Sequence, residues 1–145
     1  FNDAVVSKGI KGSMIEIEVR IDGKFLYALR ADGLIVATPT GSTAYALSAG
    51  GPIIHPSLSA MALVPICPHT FSSRPIALGS DSVVEIVINS AADARAHFDS
   101  HSRFDLREQD RVVVRRYGHT MRLLHPVGHD YYNMLRAKLH WTESY

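Results

Sequence analysis

The chain has 145 residues, with 15 Lys plus Arg against 14 Asp plus Glu and a formal net charge of +1. That balance supplies no long-range field to draw in nucleic acid, and no apolar run nears the roughly 20 residues a membrane-crossing helix needs. One cysteine, Cys67, excludes an internal disulfide framework and fits a reducing cytoplasm, and the length suits one domain, residues 1–145, short for an enzyme that holds two substrates.

The chain opens on Phe1-Asn2-Asp3, which reads as the middle of a motif, so an upstream portion is expected to be missing. Ile15, Ile17, Val19 and Ile21 alternate with Glu16, Glu18 and Arg20, the period-two pattern of a half-buried strand. Asp22-Gly23 predicts a tight turn with positive φ, from which Lys24 to Arg30 returns antiparallel. Leu34 to Ala37 reads as a strand entering the core, and a Gly/Ser/Thr-rich loop follows, with a short helix beginning near Thr43. Further short strands are expected at Met61–Cys67, Ser82–Ile88, Ala94–Phe98, Arg111–Tyr117 and Met121–His125, each bounded by turn residues. Near the end, Tyr131, Met134, Leu135 and Leu139 fall on one helical face and Asp130 is placed to cap it. The expected fold is therefore mainly β: a two-sheet β sandwich with a short helix after the loop and a C-terminal helix.

The segment Pro39 to Ser48 can cradle a nucleotide. Hydroxyls of Thr40, Ser42, Thr43 and Ser48 can reach ring nitrogens or sugar oxygens, Gly41 permits close backbone approach, and Tyr45 offers an aromatic face. A triphosphate-gripping loop would end in Gly-Lys-Ser/Thr, whereas this one has Gly-Ser-Thr and no cation, so contacts to the nucleoside are expected rather than to a phosphate tail. The plainer alternative is a strand-to-helix turn rich in capping residues.

Thr38-Pro39-Thr40-Gly41-Ser42-Thr43-Ala44-Tyr45, preceded by Asp32-Gly33 and followed by Leu47-Ser48-Ala49-Gly50-Gly51-Pro52, resembles the signature of the C-terminal domain of bacterial NAD kinases. Asn2-Asp3, His69-Thr70, Ser73-Arg74-Pro75, His125-Pro126 and Lys138-Leu139-His140-Trp141 are similar to further elements of proteobacterial members, in order along the chain. The resemblance implies transfer of a phosphoryl group from ATP, or inorganic polyphosphate, to the 2′-hydroxyl of the adenosine ribose of NAD, giving NADP. Catalysis in that family also uses an upstream Gly-Gly-Asp-Gly element; here Gly50-Gly51 is followed by Pro52, so the chain resembles the dinucleotide-binding half and is expected to be inactive alone. A divalent metal ion (Mg) would arrive with ATP, mainly through the missing α/β domain.

Residue by residue, the resemblance assigns NAD contacts to Asn2 and Asp3, to Thr43, Ala44, Tyr45, Ala46, Leu47 and Ser48, and to Arg30 and Asp32. The last two lie two apart at a strand end and are expected to point together toward the start of the loop, Asp32 often reaching a dinucleotide held mainly by a neighbouring subunit. Such sharing implies a homo-oligomer, a tetramer or dimer. His101 is included because Asp99-Ser100-His101 stands where Asp-Gly-Gln is common, and Ser13 stands where relatives often carry His or Arg. The bland roles are a frayed terminus for Asn2-Asp3, an Arg30–Asp32 surface pair, and capping and packing for Thr43 to Ser48.

His97/His101 and His125/His129 share a metal-like spacing, but a strand over the first pair and Pro126 within the second deny them one helical face. Cys67 is expected to be a buried small hydrophobe, and nothing gives Ser42 or Ser48 a nucleophile-elbow context. Two other readings are a diacylglycerol-type lipid kinase and a non-catalytic NAD(P)-binding or oligomerisation module.

Overall fold

The computed structural model describes residues 1–10, 12–70 and 72–141. In chain order the strands are β1 (Asp3–Lys8), β2 (Ile15–Ile21), β3 (Lys24–Ala31), β4 (Gly33–Ala37), β5 (Ala60–Ile66), β6 (Ile76–Gly79), β7 (Val84–Ser90), β8 (Ala94–Phe98), β9 (Ser102–Leu106) and β10 (Arg111–Val114). A 3-10 turn at Gly41–Thr43 and a short helix α1 (Tyr45–Ser48) follow β4, and α2 (Tyr131–Leu139) lies near the end. The strands form a six-stranded sheet, β6-β5-β4-β1-β8-β9, and a four-stranded sheet, β10-β7-β2-β3. Neighbours in both run antiparallel, so the expected two-sheet, mainly β architecture is what forms.

The smaller sheet obeys the alternation in its sequence. Ile15, Ile17 and Val19 of β2 and Val84, Ile86 and Ile88 of β7 turn inward and are fully buried, while Glu16 and Arg20 face solvent. Asp22 and Gly23 take φ of 52° and 75°, the positive pair that the β2–β3 turn demands. In the larger sheet, β1, β4 and β5 are buried on both faces. Val6, Leu34, Val36 and Leu63 meet the second sheet, whereas Val5, Ile35, Ala37, Ala62 and Val64 face the other way and are covered by Ala46 and Ile54. Double burial explains why Leu34 to Ala37 is continuously apolar. It also makes α1 part of the core, which anchors the loop before it.

Several boundaries differ from expectation. β1, β6 and β9 are not foreshadowed by alternation: β1 is a doubly buried strand, and β6 and β9 are sheet edges with exposed positions. β10 stops at Val114 rather than Tyr117, and Met121–His125 forms no strand. Residues 115–130 are exposed throughout, with Leu124 at 88%. Among the described residues no strand pairs with them, and without a partner for its backbone groups an alternating run has no reason to extend into a ladder. α2 forms as expected, with the Asp130 carboxylate accepting from the backbone N–H of Tyr132 at 2.8 Å and of Asn133 at 3.2 Å.

Candidate functional site

The start of β1 and the loop after β4 are joined by direct bonds. β1 pairs antiparallel with β4, bringing Asp3 opposite Ala37, so Asn2 lies where the loop begins. Thr38 N–H donates to the Asn2 carbonyl at 2.9 Å, and Thr38 Oγ1 donates to the Phe1 carbonyl at 3.0 Å while accepting from Gly41 N–H at 3.0 Å. Gly41 is required by this contact, because a Cβ there would stand 2.0 Å from the Asn2 carbonyl oxygen. Asn2-Asp3 is thus built into the larger sheet rather than frayed.

On its other edge β1 pairs with β8, whose turn to β9 supplies Asp99 and His101. Asp99 Oδ1 accepts from the backbone N–H of Asn2 at 2.5 Å and of Asp3 at 3.0 Å, and Asp99 N–H returns a bond to the Asp3 carbonyl at 3.1 Å. Asp99 and Ser100 both take positive φ, 50° and 60°, so Ser100 adopts the left-handed conformation a glycine would favour. Burial would raise the Asp99 carboxyl, but the backbone donors of Asn2 and Asp3, with His101 beside them, outweigh it and hold it below its ordinary value. The Asp3 side chain is buried at 5% exposure, and its carboxyl is raised above the ordinary value by burial and then by the charge of Asp99. His101 Nδ1 lies 2.5 Å from the Asp99 carbonyl, which places its ring at the same end of the sheet.

Within the loop, structural and available groups separate. Ser42 is fully buried: its hydroxyl donates to the Pro39 carbonyl at 2.6 Å and accepts from Ile54 N–H at 2.9 Å, stapling the 3-10 turn to the segment that covers the sheet. The Ala46 side chain is equally buried in the outer core, leaving that residue only backbone to offer a ligand. Gly51 N–H bonds the Ala46 carbonyl at 2.8 Å after the positive-φ Gly50, which makes a tight turn there. Tyr45 is 47% exposed and Ser48 is exposed, while Thr43, Ala44 and Leu47 are half-buried. Thr43 Oγ1 bonds the Thr40 carbonyl at 3.3 Å and receives Lys138 Nζ at 3.1 Å.

Arg30 and Asp32 do not point to the start of the loop. They precede β4 and the loop follows it, so β4 separates Asp32 from Thr38 by six residues, about 20 Å of extended chain. Nor does Asp32 pair with Arg30. Its carboxylate meets Lys8 Nζ at 2.8 Å and its carbonyl accepts from Lys8 N–H at 2.9 Å, because the end of β1 lies beside the start of β4. Arg30 is exposed. The structure therefore joins Asn2, Asp3 and the turn bearing Asp99 and His101 to the loop that leads to Thr43–Ser48, and leaves Asp32 at the opposite end of β4 and Arg30 at the end of β3 in the smaller sheet.

Cys67 is exposed rather than buried, because β5 ends at Ile66 and the chain turns with a φ of 44° before Pro68. His125 and His129 stack at 4.1 Å on the exposed segment, and His97 lies within β8 while His101 is in the turn beyond it. Sequence reasoning passed over Asp99 and Lys138. Both stood inside stretches quoted for the resemblance, Asp99 in Asp99-Ser100-His101 and Lys138 in Lys138-Leu139-His140-Trp141, but neither was given a role, because their partners lie far along the chain.

Residues 1–125 match the family model described as the ATP-NAD kinase C-terminal domain. The chain is 61% identical over 142 residues to the NAD kinase of Nitrosomonas eutropha, covering 98% of this chain and 48% of that protein. With the NAD kinase of Nitrosospira multiformis it shares 63% identity over 141 residues, covering 97% of this chain and 48% of the relative. Among solved structures, yeast NADH kinase complexed with NADH matches with a TM-score of 0.74 and 39% identity, over 77% of this chain and 33% of that one. An NAD kinase from Archaeoglobus fulgidus in complex with ATP matches with a TM-score of 0.73 and 32% identity, over 81% of this chain and 45% of that one. The chain spans about half the length of the curated relatives it matches, 48% for both.

Proposed function

The chain belongs to the ATP-NAD kinase C-terminal domain family, and from that premise we propose that it is the part of an NAD kinase that seats the dinucleotide. In the whole enzyme a phosphoryl group passes from ATP or polyphosphate to the 2′-hydroxyl of the adenosine ribose of NAD. The observation that carries this reading is the convergence of Asn2-Asp3 with the Thr38–Ser48 loop, sealed by the Thr38–Asn2 bond at 2.9 Å, beside a Tyr45 ring left 47% exposed. A carboxylate and an amide next to an open aromatic face can read a ribose diol and stack a base.

The roles follow from where each group lies. Asp99 holds the Asn2 and Asp3 backbone in place, and Asp3 accepts from the ribose. Tyr45 packs on a base, and Thr43, Ala44, Ala46, Leu47 and Ser48 complete the seat through side chain or backbone. His101 closes its far side. Arg30 and Asp32, some 20 Å of strand away, serve the dinucleotide of a second copy in a homo-oligomer, a dimer or tetramer. Among the described residues no three acidic, histidine or cysteine side chains group closely enough to hold a metal ion. Magnesium is assigned, from the family resemblance, to the ATP and to the portion of the enzyme that binds it, with a Gly-Gly-Asp-Gly element there supplying the base. The cytoplasm is the expected compartment, and no helix among the described residues is long and apolar enough to cross a membrane.

Calorimetric titration of the chain with NAD, NADP and ATP tests this reading. Dinucleotide binding without kinase turnover is expected, with turnover appearing when the upstream half is supplied. Tyr45→Ala should weaken NAD binding about tenfold, the loss of one stacking contact, with the unfolding midpoint unchanged. A folded chain that binds neither NAD nor NADP would overturn it.

A further inference from the structure

The Pro39–Ser48 loop holds no cation of its own, yet the fold delivers one to it. Lys138, 95 positions along the chain from Thr43, sits in the last turn of α2 and donates from Nζ to Thr43 Oγ1 at 3.1 Å. The helix is seated independently of that bond. Asp130 caps its start, the Tyr131 ring meets His55 edge-on with centroids 4.6 Å apart, and Leu135 is buried at 4% exposure. Tyr131, Leu135 and Lys138 follow the i, i+4, i+7 spacing of one stripe, so the docking face of α2 ends in an ammonium group where an apolar residue would continue it.

An ammonium group has three N–H donors, and Thr43 takes one. Among the described residues no carboxylate lies within ion-pair distance of Lys138, whose side chain is exposed. Thr43 is two residues before Tyr45, so the charge is delivered to the same loop that carries the aromatic face proposed to seat the base. Of the groups in a nucleotide, the phosphate oxygens carry the negative charge and so gain most from two spare donors on a positive charge at that position.

We propose that Lys138 is the phosphate-binding residue of this site: parked on Thr43, it contacts the phosphate oxygens of the nucleotide whose base lies on Tyr45. The proposal rests on the dinucleotide-seat reading and deepens it, turning a nucleoside seat into a nucleoside-diphosphate seat. It also assigns a binding role to a part of the chain beyond the residues 1–125 matched by the family model.

The test compares the wild-type chain, Lys138→Ala and Lys138→Arg in titrations with adenosine, ADP-ribose, NAD and ATP, with circular dichroism checking each variant's fold. Lys138→Ala should weaken ADP-ribose and NAD about tenfold at low salt and less at high salt, leaving adenosine unchanged, and Lys138→Arg should retain most of the affinity. A loss confined to ATP would assign the same contact to the phosphate donor. Equal losses for adenosine and ADP-ribose would show a merely structural role and overturn the proposal, as would no loss at all. A wild-type chain that binds neither NAD nor ADP-ribose overturns the functional reading beneath it, and the proposal with it.

Discussion

β1 and the segment 115–130 are both short stretches containing apolar residues near an end of the chain, and they meet opposite fates. β1 is hydrogen-bonded on both edges, to β4 and to β8, and Val5 and Val6 are buried on opposite faces of the sheet. Met121, Leu123, Leu124 and Val127 are exposed, and no strand among the described residues pairs with them. Hydrophobicity does not separate the two. A strand is stabilised by the neighbours that satisfy its N–H and C=O groups and cover its side chains, so the same kind of residues are core in one place and surface in the other. The contrast reaches the loop as well, since the well-paired strand brings Asn2-Asp3 against Thr38, and α2, beyond the unpaired segment, brings Lys138 to Thr43.

The contrast can be broken most severely at its buried end. Val6 is 1% exposed, so Val6→Asp places an uncompensated charge between the two sheets and should cost more than about 3 kcal/mol, read as loss of a cooperative urea transition. Retention of that transition would mean β1 is not a core strand. Gly41→Ala acts more locally. The added Cβ would stand 2.0 Å from the Asn2 carbonyl oxygen, and the shift it forces should cost about 1–3 kcal/mol. NAD affinity should fall with it, because the loop and Asn2 move apart; calorimetry on the folded variant would measure this.

Asp3 offers a smaller effect with a definite sign. Burial, then Asp99, raises its carboxyl above the unfolded value of about 3.9, so the folded state holds that proton more tightly. The stabilising contribution is present below the unfolded value and is lost as pH rises through the folded one, which leaves a penalty at neutral pH. Asp3→Asn should therefore be more stable than wild type at pH 7, the gain closing in acid, while dinucleotide binding weakens. Urea midpoints across pH and one NAD titration at neutral pH check both halves, and a midpoint lowered at pH 7 would contradict the burial argument. At the unpaired end, Leu124 is 88% exposed, and Leu124→Asp should change stability by no more than about 0.5 kcal/mol in the same urea assay.

Features written in local periodicity and turn chemistry were legible beforehand. The alternation of Ile15 to Ile21, the Asp22-Gly23 turn, the Asp130 cap and the apolar face of α2 each depend on residues a few positions apart, and each forms. The loop was recognisable as a unit through the order Thr38 to Tyr45. Its division of labour was not, because burying Ser42 and Ala46 while leaving Tyr45 open depends on Ile54 and on the outer face of β4 and β5. Arg30 and Asp32 were placed on the wrong side of the site because alternation tells which face a side chain takes, not which end of the next strand it occupies. Asp99 was passed over because its partners, the N–H groups of Asn2 and Asp3, lie 97 and 96 positions away in the chain.

By itself, then, the sequence determined the mainly β character, the hairpin, the capped C-terminal helix and a loop with nucleotide-seating chemistry, since short-range sterics and hydrogen bonding suffice for these. Only the tertiary structure decided that β1 lies between β4 and β8, that Asn2-Asp3 meets the loop, that Arg30 and Asp32 stand at the opposite end, and that Lys138 brings a cation to Thr43. Those facts depend on pairings between residues up to about a hundred positions apart, which sheet order and helix docking select and no local pattern encodes.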